Sequence, residues 1–310
     1  MKATAKAFAP AAISSFFEIC SKSRNSKAIV DLERAGARGG GFGLQKGVST
    51  QVTVSTAKIS RIRVAINGKA APEAKTTIAT LQALLAKVDG KYDISVKHKI
   101  EVPVGAGFGT SAGGAITAGL ALKEALNLPL TENQIGKVAH IVEIQCKTGL
   151  GTVTPLTVGG RCIIVLEPGA PGIGVIDRIP LSSEYVMVCG IFGAKSKTVL
   201  STPAIHPKIN VWGRKTLKTI LAEPSVENFL ASCWLFGQKA GFATNRVRQL
   251  VSLACEAGAV GAAQNMIGEA VHALVLEEKA AAVAEAFKRV LPMECVLVSK
   301  LDSEGARLVG

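Results

Sequence analysis

The segment best suited to chemistry spans residues 103–114 and reads Pro-Val-Gly-Ala-Gly-Phe-Gly-Thr-Ser-Ala-Gly-Gly. Its glycines allow a tight turn and let the backbone approach a ligand without Cβ clashes. A strand pattern ends at Val102 before it, and a helix pattern begins near Ser111 after it. Because the first-turn amides of a helix attract anions, we predict a phosphate-binding loop. The alternative is a glycine-rich turn that only packs a helix onto a sheet.

Two common phosphate-binding motifs do not fit this segment. The sequence has no Gly-x-x-x-x-Gly-Lys-Ser/Thr string, which excludes a Walker A loop. Residues 107–112 match the Gly-x-Gly-x-x-Gly/Ala fingerprint of dinucleotide-binding folds, which need an acidic residue about 20 positions later at a strand end. The nearest acid, Glu124, falls inside a predicted helix. The preceding strand also alternates between apolar and polar residues, so a doubly wound parallel sheet is excluded.

The elements around the loop predict an α+β protein. Alternating strands and amphipathic helices are followed by a turn cluster at 167–172 and a mainly helical second part. A capping-box pattern at Thr131 and Gln134 marks one helix start. Predicted strands cover residues 51–55, 61–66, 93–102, 186–192 and 295–298, and predicted helices cover 72–88, 111–126, 131 onward, 211–221, 225–237, 247–257 and 280–290. We divide the chain into domains at residues 1–180 and 181–310.

Composition restricts the class of protein. Of 310 residues, 48% are hydrophobic and 19% are charged, which excludes a disordered chain. No run of 18 apolar residues occurs, so we predict no membrane span. Polar residues interrupt the apolar N-terminal stretch before it could act as an export signal. Seven widely spaced cysteines, without a Cys-x-x-Cys pair, indicate a reducing compartment, and we predict the cytoplasm.

The net charge of +13 leaves two kinds of anionic partner to compare. A nucleic-acid-binding surface usually combines clustered Lys and Arg with aromatic residues. Here the densest basic stretch, residues 58–63, alternates like a strand with one solvated face. We therefore predict a small anionic partner and no nucleic-acid binding, with a nucleic-acid-binding protein as the alternative from another class.

The loop resembles the phosphate loop of the GHMP kinase superfamily, Pro-x-x-x-Gly-Leu-Gly-Ser-Ser-Ala, along residues 103–112. Within that superfamily, the chain is similar to the archaeal pantoate kinases along nearly its whole length. The further matching pieces are residues 7–10 with Phe16 and Phe17, 36–39, Glu143, 149–151 with 159–160, 171–175 and 266–269. The resemblance implies ATP-dependent phosphorylation of the 4-hydroxyl of pantoate in coenzyme A biosynthesis. It also implies a ribosomal-protein-S5-like N-terminal half that binds ATP and a ferredoxin-like C-terminal half.

The resemblance also implies which residues bind ATP and Mg²⁺. The expected ATP-binding residues are Pro103, Gly105, Gly107, Phe108, Gly109, Thr110, Ser111, Ala112, Gly113 and Gly114. Ser111 and Glu143 match the pair that holds Mg²⁺, an ion that usually takes one or two protein oxygens and completes its shell with phosphate and water. The alternative for Glu143 is an exposed glutamate on a helix.

Two departures from the family pattern concern catalysis. Thr152 stands where the family has an aspartate, the candidate base, and Ala12 stands where it has a histidine. Phosphoryl transfer depends mainly on positioning and charge stabilisation, with little need for early deprotonation. We therefore predict an active kinase with Thr152 at the catalytic position and without a protein base. The alternative is a catalytically silent relative that still binds ATP.

The acceptor needs a cation for its carboxylate and small polar groups for its hydroxyls. Ser14, Ser15 and Arg38 are the expected substrate residues, although Arg38 could instead lie in a flexible glycine-rich turn. Residues 195–198 resemble a substrate-side loop, and the third motif at 258–269 is poorer in glycine than usual. Homoserine and mevalonate remain alternative acceptors. Apart from small molecules we expect no membrane partner, and we allow for a homodimer.

Overall fold

The computed structural model describes residues 2–20, 31–193 and 202–310. Its first part contains a large sheet with helices packed on it. In chain order the elements are β1 (Lys2–Cys20), β2 (Gly36–Thr56), β3 (Arg61–Ile66), β4 (Lys69–Ala70), α1 (Lys75–Leu85), β5 (Tyr92–Ile100), α2 (Thr110–Leu126), α3 (Glu132–Gln145), α4 (Val153–Val158), β6 (Cys162–Glu167) and β7 (Val175–Arg178).

Within its described residues, the second part contains a smaller sheet and four further α-helices. Its elements are β8 (Tyr185–Gly193), α5 (His206–Ala222), α6 (Val226–Lys239), α7 (Asn245–Glu256), β9 (Gly261–Gln264), β10 (Glu269–Leu276), α8 (Ala280–Lys288), β11 (Val296–Lys300) and β12 (Arg307–Val309). Except for α4, every helix lies over a stretch with a helical hydrophobic pattern. The α+β prediction is confirmed.

The first sheet has the strand order β12-β1-β2-β5-β3-β4, and β6 and β7 extend it from β2. The pairs in this sheet are antiparallel, apart from β3 and β5, which run parallel with α1 between them. Helix α2 packs on β1 and β2 through Ala112, Ala115 and Ile116, all fully buried. The predicted capping box is also present, because Thr131 and Gln134 exchange side chain–backbone hydrogen bonds at the start of α3.

The longest strand pair, β1 with β2, is a feature that the sequence patterns did not predict. Glycines at 39, 41 and 47 let the two backbones approach, since a Cβ on Gly41 would overlap the carbonyl oxygen of Ile13. The glycine-rich stretch at 36–43 is therefore part of a paired strand, which corrects the alternative of a flexible turn. Register shifts in β1 occur between Pro10 and Ala11 and between Ser14 and Phe16. Such bulges re-aim side chains within a strand.

Helix α6 joins the two sheets through aromatic side chains. Phe229 packs edge-on against Phe16 and Phe42, with ring centroids 6.0 Å and 5.3 Å apart. Phe236 packs in the same way against Phe16 and Phe17. Because these rings are buried at or near 0% exposure, they form a core shared by both halves of the chain.

The end of the chain returns to the first sheet. Strand β12 pairs with the outer edge of β1, and Val309 lies opposite Lys6. A covered edge has fewer unpaired backbone groups, which is a physical reason for this return. Residues 307–309 thus belong with the first sheet, and the division of the chain at residue 180 stays a prediction. No helix in the described ranges is long and apolar enough to cross a membrane.

Candidate active site

A single cleft collects most of the residues that the sequence singled out. Its walls come from β1, β2, the loop before α2, the segment from the end of α3 to β6, and the turn between β9 and β10. The residues that line it include Ala12, Ser14, Arg38, Gly105, Gly107, Phe108, Gly109, Thr110, Ser111, Ala112, Glu143, Thr148, Thr152, Met266 and Ile267.

The loop before α2 has the backbone that its glycines predict. Gly105, Gly107 and Gly109 have φ values of 84°, 84° and 63°, a left-handed conformation that L side chains rarely adopt. Gly109 is the N-cap residue of α2, and the first turn of that helix carries no acidic side chain. The positive end of the helix therefore lies at the cleft with amides that suit an anion.

Three of the predicted ATP-binding residues lie outside the cleft lining. Pro103 is exposed. Gly113 and Gly114 face the sheet instead, where a Cβ would approach Val48 in the first case and Thr77 in the second. Their small size lets α2 pack closely on the strands, and their contact with ATP stays a prediction.

A chain of hydroxyls holds Ser111 in place. Its Oγ lies 2.9 Å from Oγ1 of Thr76, which lies 3.0 Å from Oγ1 of Thr148. Thr148 in turn donates to the backbone oxygen of Glu143 at 3.3 Å. Thr76 and Thr148 are site residues that sequence reasoning missed, because 72 positions separate them and neither belongs to a recognisable motif.

Glu143 is buried at 1% exposure, which rules out the alternative of a solvated helix glutamate. Its Oε2 accepts hydrogen bonds from the amides of Gly151 at 3.3 Å and Thr152 at 3.1 Å. Gly149 leaves room for the carboxylate, since a Cβ there would overlap Oε1. The carboxylate of Glu143 is therefore held in the wall of the cleft, and the lining of that cleft contains no other Asp or Glu among the described residues.

The two positions that depart from the family pattern lie side by side. A Cβ built on Gly109 would be 3.0 Å from Cβ of Ala12 and 3.0 Å from Cγ2 of Thr152. Ala12 also donates its backbone N–H to the oxygen of Phe108 at 3.0 Å. Both departures from the family pattern therefore lie beside Gly109, the phosphate-loop glycine at the start of α2. The small uncharged side chains of Ala12 and Thr152 pack there.

The two predicted substrate serines have different surroundings. Ser14 lines the cleft, whereas Ser15 is fully buried and its Oγ lies 2.9 Å from Nε2 of His272. Nδ1 of His272 lies 2.9 Å from Oδ1 of Asn265. Burial lowers the pKa of His272 to about 3, so the ring is neutral. The bulge in β1 turns Ser15 into the protein interior, which corrects its predicted contact with substrate.

The turn after β9 closes the cleft from the second half of the chain. Met266 donates its backbone N–H to the oxygen of Ser14 at 2.7 Å. Gly268 packs so closely on Ala106 that a Cβ would overlap the carbonyl oxygen of that residue. The glycine-poor third motif therefore contacts the phosphate loop through its backbone. The predicted substrate-side loop at 195–198 lies outside the described residues.

Comparison with known proteins shows which sequences this chain is similar to. Residues 74–160 match the family model of the GHMP kinases N-terminal domain. The chain is 31% identical to the pantoate kinase of Thermococcus kodakarensis over 89% of each protein. It is 30% identical to the pantoate kinase of Methanocaldococcus jannaschii over 87% of this chain and 93% of that one. It is also 26% identical to the mevalonate kinase of Thermococcus sibiricus, over 78% and 77% of the two chains.

Solved structures give the same picture at the level of the fold. A phosphotransferase related to the coenzyme A biosynthesis pathway superposes with a TM-score of 0.85 and 28% identity, over 99% of this chain and 98% of that one. A complex of MDDEF with MVAPP, AMPPCP and magnesium superposes with a TM-score of 0.74 at 16% identity, over 100% and 99%. Because the chain is 31% and 30% identical to two pantoate kinases over most of their lengths, it belongs to the pantoate kinase family of the GHMP kinases.

Proposed function

We propose that this protein transfers the γ-phosphoryl group of ATP to the 4-hydroxyl of pantoate, a step of coenzyme A biosynthesis. The observation that carries the proposal is the shared cleft, where the glycine loop at the start of α2 and Arg38 are both part of the lining. A phosphate-binding backbone and a carboxylate-binding cation in one cleft are what a kinase of a small hydroxy acid needs. Two relatives of similar length are named pantoate kinases, and they support pantoate as the substrate.

On the nucleotide side, the loop before α2 would hold the triphosphate, with Ser111 and Glu143 as ligands of Mg²⁺. One hydroxyl and one carboxylate suit this ion, which seldom uses a cage made only of protein groups. In the described ranges no three His, Cys, Asp or Glu side chains form such a cage. When bound, Mg²⁺ would neutralise negative charge on the phosphate groups of ATP. The complex of MDDEF with AMPPCP and magnesium supports a nucleotide with magnesium as the ligand of this fold.

On the acceptor side, Arg38 would bind the carboxylate and Ser14 a hydroxyl of pantoate. The ionisable side chains lining the described cleft are Arg38 and Glu143, and neither is left to act as a base at the acceptor hydroxyl. Thr152 cannot take a proton at neutral pH. The loose transition state of phosphoryl transfer needs little early deprotonation, so the proton would pass to water or to a phosphate oxygen.

We propose that the protein acts in the cytoplasm. Its assembly into a homodimer stays a prediction. All seven cysteines are free thiols, which supports a reducing compartment. A homodimer is tested by sedimentation equilibrium of the purified protein.

The proposal is tested by ADP release with pantoate, homoserine, mevalonate and shikimate as separate acceptors. We expect turnover with pantoate and at least tenfold lower kcat/KM with the others. Release with mevalonate or homoserine alone would contradict the substrate but keep the reaction class. Binding of ATP without release in any arm would show a catalytically silent relative. Ser111→Ala, which lacks a proposed Mg²⁺ ligand, serves as the low-activity control.

A further inference from the structure

A buried carboxylate lies at the end of β1 between two arginines. Oε2 of Glu18 contacts Nη2 of Arg38 at 2.8 Å and Nε at 3.1 Å. Oε1 of Glu18 contacts Nε of Arg214 at 3.1 Å. The three side chains, here called the Glu18 cluster, carry a net charge of +1. None of the motifs found in the sequence includes Glu18 or Arg214.

Three elements hold the Glu18 cluster together. Glu18 and Arg38 are direct cross-strand partners in β1 and β2. Helix α5 brings Arg214, and Asn210 fixes the helix by bonding the backbone N–H of Ile19 at 2.8 Å and its oxygen at 3.0 Å. Gly213 permits this close contact, because a Cβ there would overlap the oxygen of Phe17. Both halves of the chain therefore position the cluster.

The side chains of the Glu18 cluster differ in exposure. Glu18 is 8% exposed, Arg38 26% and Arg214 63%. Arg38 lines the cleft. Its Nε and Nη2 contact Glu18, and its side chain also interacts with the thiol of Cys20. Burying a carboxylate is costly and adds little stability by itself, so a role beyond stability accounts better for Glu18.

We propose that Glu18 is a positioning residue that fixes the guanidinium of Arg38 in the orientation in which it binds the carboxylate of the acceptor. The Glu18 cluster then selects acceptors that carry a carboxylate over neutral alcohols, and it aligns the hydroxyl with the nucleotide. This inference rests on the proposed function, because it places the acceptor beside Arg38. A guanidinium held by one carboxylate is already oriented before it binds another.

In Glu18→Gln, the net charge of the Glu18 cluster and the orientation of Arg38 predict opposite effects on the reaction with pantoate. The variant therefore separates a positioning role of Glu18 from simple electrostatic attraction. The substitution raises the net charge of the cluster from +1 to +2, so Coulomb attraction to an anionic acceptor increases. The glutamine holds Arg38 less firmly, and a misplacement of about 1 Å can lower a rate about a hundredfold. We therefore expect kcat for pantoate to fall about ten- to a hundredfold while KM stays equal or falls.

The experiment compares pantoate with its carboxamide, which keeps both hydroxyls and loses the charge. In the unmodified protein we expect kcat/KM to favour pantoate by about ten- to a hundredfold, the value of a charged hydrogen bond. Arg38→Met should bring that preference close to one. In Arg38→Met, Glu18 still pairs with Arg214. This variant therefore tests the proposal even if Glu18→Gln does not fold. Asp302→Asn removes another buried carboxylate paired with an arginine, Arg307, and is the stability-matched control.

Several outcomes would overturn the inference. An unchanged kcat in Glu18→Gln, or a raised KM with kcat unchanged, would mean that Glu18 does not orient the acceptor. A preference for pantoate that survives in Arg38→Met would place the carboxylate elsewhere. If the unmodified protein turns over no pantoate, the proposed function fails instead. Calorimetric measurement of the binding of pantoate and its carboxamide to the same variants then tests the Glu18 cluster. We expect Arg38→Met to lose the preference for pantoate over the carboxamide.

Discussion

At the scale of single residues, Ser111 and Glu143 are predicted to bind the Mg²⁺ of Mg-ATP. At a ligand concentration of a hundred times Kd, binding protects the fold by about 2.7 kcal/mol. Ser111→Ala and Glu143→Gln should each raise Kd at least about tenfold and remove about 1.4 kcal/mol of that protection. Thermal denaturation with and without Mg-ATP measures the difference. Glu143→Gln keeps an oxygen for the amides of Gly151 and Thr152, so it spares the turn.

The control for this pair is Glu132→Gln, an exposed glutamate on the same helix. Its protection by Mg-ATP should equal that of the unmodified protein. Equal protection in all three variants would show that ATP binds elsewhere.

At Thr152, a substitution that adds a catalytic base also adds a negative charge. These two effects change the rate in opposite directions. A base in Thr152→Asp could raise the rate about 10²–10⁴-fold. However, its carboxylate would lie beside Glu143, which already accepts the amide of residue 152. Two like charges 4 Å apart cost about 4 kcal/mol at an effective dielectric of 20, nearly a thousandfold. Because these effects are similar, we expect kcat to change less than about tenfold and KM for ATP to rise.

Steady-state kinetics of Thr152→Asp beside Thr152→Asn, which has the same size and no charge, separates the two effects. We expect the raised KM for ATP in the aspartate variant alone. Strong activation of a protein that was inactive before the change would show that the natural chain is a silent relative.

At the scale of elements, the close contact of β1 and β2 depends on glycine. A Cβ in Gly41→Ala would meet the backbone of Ile13, which cannot move aside as a side chain can. We expect a loss of about 3 kcal/mol in the free energy of unfolding, the upper end for an overpacked site. Gly237→Ala in α6 is the matched change, because its Cβ would lie 3.4 Å from the flexible end of Met266. It should stabilise the protein by up to about 1 kcal/mol through helix propensity.

Urea denaturation of these two glycine variants measures the difference. Similar midpoints for Gly41→Ala and Gly237→Ala would mean that the strands separate at no cost.

At the scale of the whole molecule, buried neutral histidines make stability depend on pH. Burial lowers the pKa of His98 to about 4 and of His272 to about 3. Between those values and about 6.5 the unfolded chain binds protons that the folded chain does not, so the free energy of unfolding decreases as pH falls. From pH 6.5 to 5 each histidine accounts for about 2 kcal/mol. Thermal denaturation at pH 7, 6 and 5 should show a falling Tm.

His272→Gln tests the assignment, because glutamine can still bond Ser15 and Asn265 and does not titrate. Its Tm should vary less between pH 7 and 5 than that of the unmodified protein. An equal pH dependence in the two proteins would assign the effect to other groups.

The sequence by itself determined the local features of this protein. The spacing of glycines before Ser111 predicted the loop and the helix start, since both depend on backbone conformation within a few residues. The exchange of bonds between Thr131 and Gln134 was predictable for the same reason. Helix positions followed from hydrophobic period, which reports the buried face of each element directly. The resemblance of residues 103–112 to one superfamily's loop added the reaction class.

Only the tertiary structure decided which distant residues meet. Nothing local in the sequence pairs Thr76 with Thr148, or Glu18 with Arg214, because these contacts form when separate elements pack. Ser14 and Ser15 are neighbours of one type, yet a bulge in β1 puts one in the cleft and the other against His272. The residues 36–43 have a glycine content typical of a loop, and they form a strand because β1 passes close enough to exclude side chains. These contacts form because elements far apart in the sequence pack together. A short stretch of sequence contains no information about which distant element it will contact.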